Sequence, residues 1–79
     1  MKIKVLCFAQ TREIMGASEV SMELPDGARV ADLAALLFAL HPVLRPVPLR
    51  YAVNQSFAPS ETLLHEGDTV ALIPPVAGG

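Results

Sequence analysis

Val30-Ala31-Asp32-Leu33-Ala34-Ala35-Leu36-Leu37-Phe38-Ala39-Leu40 is the stretch on which the fold turns, because here the apolar spacing changes from a strand period to a helical one. At about 100° per residue, Val30, Leu33, Leu36, Leu37 and Leu40 fall within one arc of about 120°, the width of a face that packs on a sheet. The opposite side carries Ala31, Asp32, Ala35 and Ala39, which suits a helix of high intrinsic propensity and little charge. Phe38 lies off the core face, and the loop that follows is expected to cover it.

On the N-terminal side, Lys2 to Phe8 alternates. Ile3, Val5 and Cys7 share one face and Lys2, Lys4, Leu6 and Phe8 the other, as in a half-buried strand. Gln10 to Met15 is long enough for a helical turn closed by Gly16, and Glu19 to Leu24 alternates again, with Val20, Met22 and Leu24 inward. Pro25, Asp26 and Gly27 mark a turn. On the C-terminal side, Pro42, Pro46 and Pro48 predict an extended loop from His41 to Leu49 that wraps the helix end. A strand at Arg50 to Asn54, an irregular stretch through Pro59, a turn at Glu66-Gly67-Asp68 and a final strand at Thr69 to Ile73 complete the order. Two strands, a helix and two or more strands fit a single mixed sheet with one main helix packed on one face. The fold class is α+β, of the β-grasp type.

The composition narrows what such a domain can do. At 79 residues the chain is one small domain that buries only about 60% of its unfolded surface, and its one cysteine, Cys7, permits no internal disulfide. With 52% apolar and 18% charged residues a disordered chain is excluded, and the apolar surplus points to a partner. A net charge of -2, with Lys2, Lys4, Arg12, Arg29, Arg45 and Arg50 scattered, provides no basic stripe for nucleic acid. The longest apolar run in the helix, Leu33 to Leu40, falls far short of the roughly 20 residues of a membrane span, and the N-terminus is not built as a signal peptide. The expectation is a soluble protein of a reducing cytoplasm.

Chemistry is expected at the other end. Pro74 and Pro75 remove ladder donors and stiffen the chain, so residues 1–73 read as the domain and Pro74, Pro75, Val76, Ala77, Gly78 and Gly79 as a tail that leaves the sheet. At about 3.3 Å per residue the tail reaches up to roughly 20 Å, enough to thread a narrow channel in another protein. Glycines at its tip let a bulky reactant approach a terminal carboxylate and let channel walls close on the backbone. The bland alternative is a frayed end that happens to carry two glycines; the β-grasp order and the double proline favour function.

Phe8-Ala9-Gln10-Thr11-Arg12-Glu13-Ile14-Met15-Gly16, Ala52-Val53-Asn54-Gln55, and above all Gly67-Asp68-Thr69-Val70-Ala71-Leu72-Ile73-Pro74-Pro75-Val76-Ala77-Gly78-Gly79 resemble the small subunits of molybdopterin synthase, in the MoaD/ThiS family of ubiquitin-like sulfur carriers. The resemblance spans almost the whole chain, with the tail its most specific part. It implies that the Gly79 carboxylate is the reactive group: adenylated by an E1-like adenylyltransferase that uses ATP, then converted to a thiocarboxylate. The charged tail would then enter the large synthase subunit, in a heterotetramer, where two such sulfurs form the dithiolene of molybdopterin from cyclic pyranopterin monophosphate. An acyl adenylate supplies the leaving group that a free carboxylate lacks. No cofactor is expected on this chain itself. Arg29 at the start of the helix, where a serine or threonine cap is more usual, and Ile73, where the family often has an aromatic residue, depart from the pattern.

The exposed face of the first strand points to the same kind of partner. Phe8 faces away from the core if Val5 and Cys7 face in, Ile73 does so if Val70 and Leu72 are buried, and the two strands lie side by side in a β-grasp sheet. Phe57 extends this patch, and the resemblance places partner-contacting hydrophobics at all three positions. Arg12 reads either as a solvated arginine or as an ion pair across the interface. His41 and His65 lack the spacing of metal ligands or an acid–base pair, Cys7 reads as a small buried hydrophobe, and Asp26 and Asp68 read as turn residues. Three other functions stay open: sulfur donation to the thiamine thiazole, a ubiquitin-like modifier joined to lysine amines, and an interaction module whose tail is inert.

Overall fold

The computed structural model describes residues 1–75. Strand β1 (Lys2–Cys7) leads into the short helix α1 (Gln10–Met15), strand β2 (Glu19–Glu23) returns beside β1, and helix α2 (Val30–Leu40) crosses the sheet. A 3₁₀ turn (Pro42–Leu44), strands β3 (Arg50–Val53) and β4 (Ser56–Phe57), and finally β5 (Thr69–Ile73) follow. The five strands lie in the order β2-β1-β5-β3-β4. β1 pairs antiparallel with β2 and parallel with β5, and β5 pairs antiparallel with β3. The sheet is therefore mixed, and its parallel pair at the centre is joined by the long connection that holds α2.

The inner face of the sheet carries Ile3, Val5, Cys7, Val70 and Leu72, which pack with Val30, Leu33 and Leu37 of α2 into one dry cluster. The alternation expected of β1, β2 and β5 and the limits of α1, α2 and β5 are those observed. Phe38 is half-buried and packed against this core. Leu40 departs from the expected arc: it is 59% exposed at the last position of the helix, before the cap at His41. Gly16 closes α1 in the left-handed region at φ 76°, where a side chain would be strained.

Two further expectations are corrected. The His41–Leu49 loop is not extended throughout, since residues 42–44 form a 3₁₀ turn. Pro42 starts that turn at a position needing no N–H, and the turn drives Leu44 into the core, where it is fully buried. The stretch before Pro59 is not wholly irregular either: β3 ends at Val53, and Ser56–Phe57 returns beside it as β4. Asn54 and Gln55 make this two-residue hairpin turn with φ of 49° and 74°, the left-handed region that a turn matching the right-handed twist of the strands requires.

The atypical start of α2 is resolved by a neighbouring loop. Asp32 Oδ2 accepts the Arg29 N–H at 2.7 Å, which is half of a capping box; a guanidinium cannot accept the reciprocal bond. Instead, the Val30 and Ala31 N–H groups donate to the carbonyls of Thr62 and Ser60, and Arg29 Nη1 donates to the Glu61 carbonyl at 2.6 Å. The 60–62 segment thus caps the helix in place of a serine.

Candidate partner-binding face

The outer face of the sheet is the same alternation read from the other side. Leu6 and Phe8 continue β1, Thr69, Ala71 and Ile73 lie on β5, Ala52 on β3, and Phe57 on β4. With Asn54 and Gln55 they line an open groove of about 550 Å³. Extending the β1–β5 register by one pair sets Phe8 beside Ile73. Phe8 is 49% and Phe57 59% exposed, whereas the inner-face residues of β1 and β5 are sealed. Such a row of exposed aromatic and aliphatic groups is costly to leave in water, and it suits an apolar partner surface.

Backbone devices hold the two phenylalanines. At the end of β1 the chain turns through Ala9 at φ 49° and ψ −125°, a conformation rarely adopted with a side chain. The fully buried Thr11 braces this corner: its hydroxyl accepts the Phe8 N–H at 2.8 Å and donates to the Phe8 carbonyl at 2.6 Å. Both polar groups of the Phe8 backbone are thereby fixed by one side chain. Asn54 plays the matching part for Phe57. Its amide donates to Asp68 Oδ1 at 2.9 Å, its oxygen accepts the Thr69 N–H at 3.0 Å, and its own N–H donates to the Thr69 carbonyl at 2.8 Å. Asp68 Oδ2 also accepts the His65 N–H at 2.8 Å, so the hairpin tip is tied to the start of β5.

The groove therefore brings together Phe8, Phe57 and Ile73. Arg12 is exposed on α1 and does not line it. Pro74 is buried and Pro75 exposed, while Val76, Ala77, Gly78 and Gly79 lie outside the described residues. Thr11, Asn54 and Gln55 were not singled out from the sequence as site residues. The signals were present in the threonine three residues beyond a strand end and in an asparagine at a turn, both of which bond nearby backbone. Among the described residues no three histidine, cysteine or acidic side chains gather as metal ligands. His65 Nδ1 lies 3.9 Å from Asp68 Oδ2, and His41 is half-buried beside the 3₁₀ turn. Cys7 faces the core, and burial pushes its thiol pKa above the ordinary value, the reverse of an activated nucleophile. Burial also raises the Tyr51 phenol.

A family model described as the ThiS family matches residues 5–79. The chain belongs to the ThiS family. It is 45% identical to the molybdopterin synthase sulfur carrier subunit of Chlamydomonas reinhardtii over 83 aligned positions, covering all of both chains. A Pyrococcus furiosus protein described as molybdopterin converting factor subunit 1 superposes with a TM-score of 0.89 at 32% identity, covering 96% of this chain and 99% of the other. Small archaeal modifier protein 1 of Haloferax volcanii superposes with a TM-score of 0.84 at 26% identity, covering 95% of this chain and 98% of the other. The five-stranded mixed sheet with one main helix is the ubiquitin-like β-grasp. In this ThiS-family chain, β5 both lines the apolar groove and carries the chain out to the proline pair.

Proposed function

We propose that this chain is the sulfur carrier of a molybdopterin synthase and that Gly79 is its reactive residue. The observation that carries the reading is the continuity of β5. The strand that lines an exposed apolar groove is the strand that leads to Pro74 and Pro75, so a partner seated on the groove receives the following residues in a defined direction. The likeness to sulfur carrier subunits supports the same conclusion.

The chemistry needs two partners. In an E1-like adenylyltransferase, the Gly79 carboxylate attacks the α-phosphorus of ATP, pyrophosphate leaves, and an acyl adenylate forms. A hydrosulfide nucleophile then attacks the acyl carbon, releasing AMP and a proton and leaving a thiocarboxylate. Gly78 and Gly79 lack a Cβ, which leaves the acyl carbon open on both sides, and Val76 and Ala77 space it from the domain. The large synthase subunit, seated on Phe8, Phe57 and Ile73, takes the loaded tail toward cyclic pyranopterin monophosphate. ATP is consumed by the activating enzyme and is not held by this chain.

The test is the intact mass of the full chain after incubation with ATP, the activating enzyme of its own organism and a sulfur donor. A gain equal to one sulfur replacing one oxygen, mapped to Gly79, is expected. An unchanged mass with an activating enzyme of demonstrated competence overturns the reading. The likeness to small archaeal modifier protein 1 favours a second reading, in which the activated tail is joined to lysine amines. Adducts on cellular proteins that depend on Gly79 would establish it.

A further inference from the structure

Beside the groove, at the end of β5 from which Pro74 and Pro75 continue, stands Arg50, which lines the adjoining concavity. Arg50 is the partner of Ile73 in the β3–β5 register, and it shares the outer face with Ala52, which pairs with Phe57. Its guanidinium carbon lies 3.9 Å from the centroid of the Phe57 ring. Together the two side chains make a ridge, with the groove of Phe8 and Ile73 on one side and, on the other, a second concavity lined by Leu49, Tyr51 and Pro59.

Arg50 differs from Lys4 on the sheet and from Arg29 at the α2 cap. Lys4, also on the outer face, lies 3.8 Å from the Glu19 carboxylate, and Arg29 donates to the Glu61 carbonyl. Among the described residues, Arg50 has neither a carboxylate within 4 Å nor a hydrogen-bond acceptor. Stacking on a ring occupies the face of a guanidinium and leaves its five N–H donors directed outward around the edge, where they match a carboxylate in two-point geometry. The ring also limits the side chain's freedom, so less entropy is lost when a partner engages it.

We propose that Arg50 is a specificity-determining residue of the partner-binding face, receiving a carboxylate that the large synthase subunit presents among apolar side chains. The proposal rests on the sulfur-carrier reading. It places an interfacial ion pair at Arg50, on the ridge beside Ile73, while Arg12 keeps both of its readings, a solvated arginine or an ion pair. Phe57 supplies buried apolar area and holds the guanidinium, and the guanidinium fixes the register of the partner by a bond that an apolar surface alone does not provide. A partner with an uncharged or basic residue at this point would leave the arginine desolvated without a partner, which discriminates against it.

The experiment measures the affinity of the full chain for the large subunit of its own organism as a function of salt, for wild type, Arg50→Gln, Arg50→Lys and Phe57→Ala, with thermal unfolding as the control for folding. Arg50→Gln is expected to weaken binding by about tenfold or more. The same variant should flatten the salt dependence, Arg50→Lys should restore part of both, and all three variants should melt with the wild type. Arg50→Gln should flatten the salt dependence in the Phe57→Ala background too, since the carboxylate contact is separate from the stack. A salt dependence unmoved by Arg50→Gln in either background, or an unchanged affinity, overturns the proposal. Wild-type chain that forms no complex with the large subunit overturns the sulfur-carrier reading itself, and the proposal with it.

Discussion

The two faces of the sheet are made by the same strands, and they have opposite fates. The inner face, Ile3, Val5, Cys7, Val70 and Leu72, is at most 2% exposed beneath α2. The outer face joins Leu6, Phe8, Ala71, Ile73 and the neighbouring Phe57 to Lys4, Thr69 and Arg50, and no helix among the described residues packs on it. Strand alternation creates both faces at once, and one main helix covers only one of them. Inner-face burial stabilises the fold, whereas the outer face gains its hydrophobic free energy only when a partner arrives. Stability and association are thereby separable within single strands.

The largest effect is expected at Gly79. Deleting Gly79 is expected to abolish thiocarboxylate formation and sulfur transfer while the melting temperature stays put; residual transfer, or loss of the fold, would break the separation. Within the domain, Leu33→Ala on the inner side should cost about 2–5 kcal/mol in denaturant unfolding, because a fully buried leucine leaves a cavity that a close-packed core cannot collapse. For a domain this small that is a large part of its total stability. Phe8→Ala, on the outer side, should shift unfolding by no more than about 0.5 kcal/mol. It should nevertheless weaken the complex with the large subunit about tenfold or more in a titration. Equal effects of Leu33→Ala and Phe8→Ala on stability would show that the outer face also serves the core.

Asn54→Ala tests how the outer face is held. The change removes the amide donor to Asp68 and the acceptor for the Thr69 N–H, and it places alanine at a left-handed φ of 49°. A loss of about 1–3 kcal/mol is expected in unfolding, with partner affinity falling as Phe57 loses its anchor. The smallest effect belongs to Cys7. Its folded pKa lies above the ordinary value of 9.0, so its contribution to stability is intact below that pH and is lost as pH rises through the folded value. Melting temperature should therefore decline in the alkaline range, and Cys7→Ala, though less stable overall, should show a shallower decline. An unchanged slope would mean that the thiol is not shielded on the inner face.

Much of this was legible beforehand because it follows from local periodicity. The alternation of β1, the helical spacing from Val30 and the turn at Gly67 specify elements whose apolar faces have one sensible arrangement. The outward direction of Phe8 and Ile73 follows from the same alternation. What could not be read locally depends on contacts between distant segments. The 3₁₀ turn that seats Leu44, the pairing of Ser56–Phe57 with β3, and the capping of α2 by the 60–62 carbonyls are decided by chain returning from elsewhere. Leu40 fits the helical arc and is still exposed, because periodicity does not say which residues of the last turn meet another element.

The sequence by itself determined the limits of α1, α2 and β5 and the two faces of β1, β2 and β5, since these depend on residue type and spacing along the chain. Only the tertiary structure decided that Thr11 braces Phe8, that Asn54 ties the hairpin to β5, and that Arg50 stacks on the Phe57 ring. The physical reason is that side-chain partners are chosen by sheet order and register. Register joins residues such as Arg50 and Ile73, which are remote along the chain, at the spacing of a single strand pair.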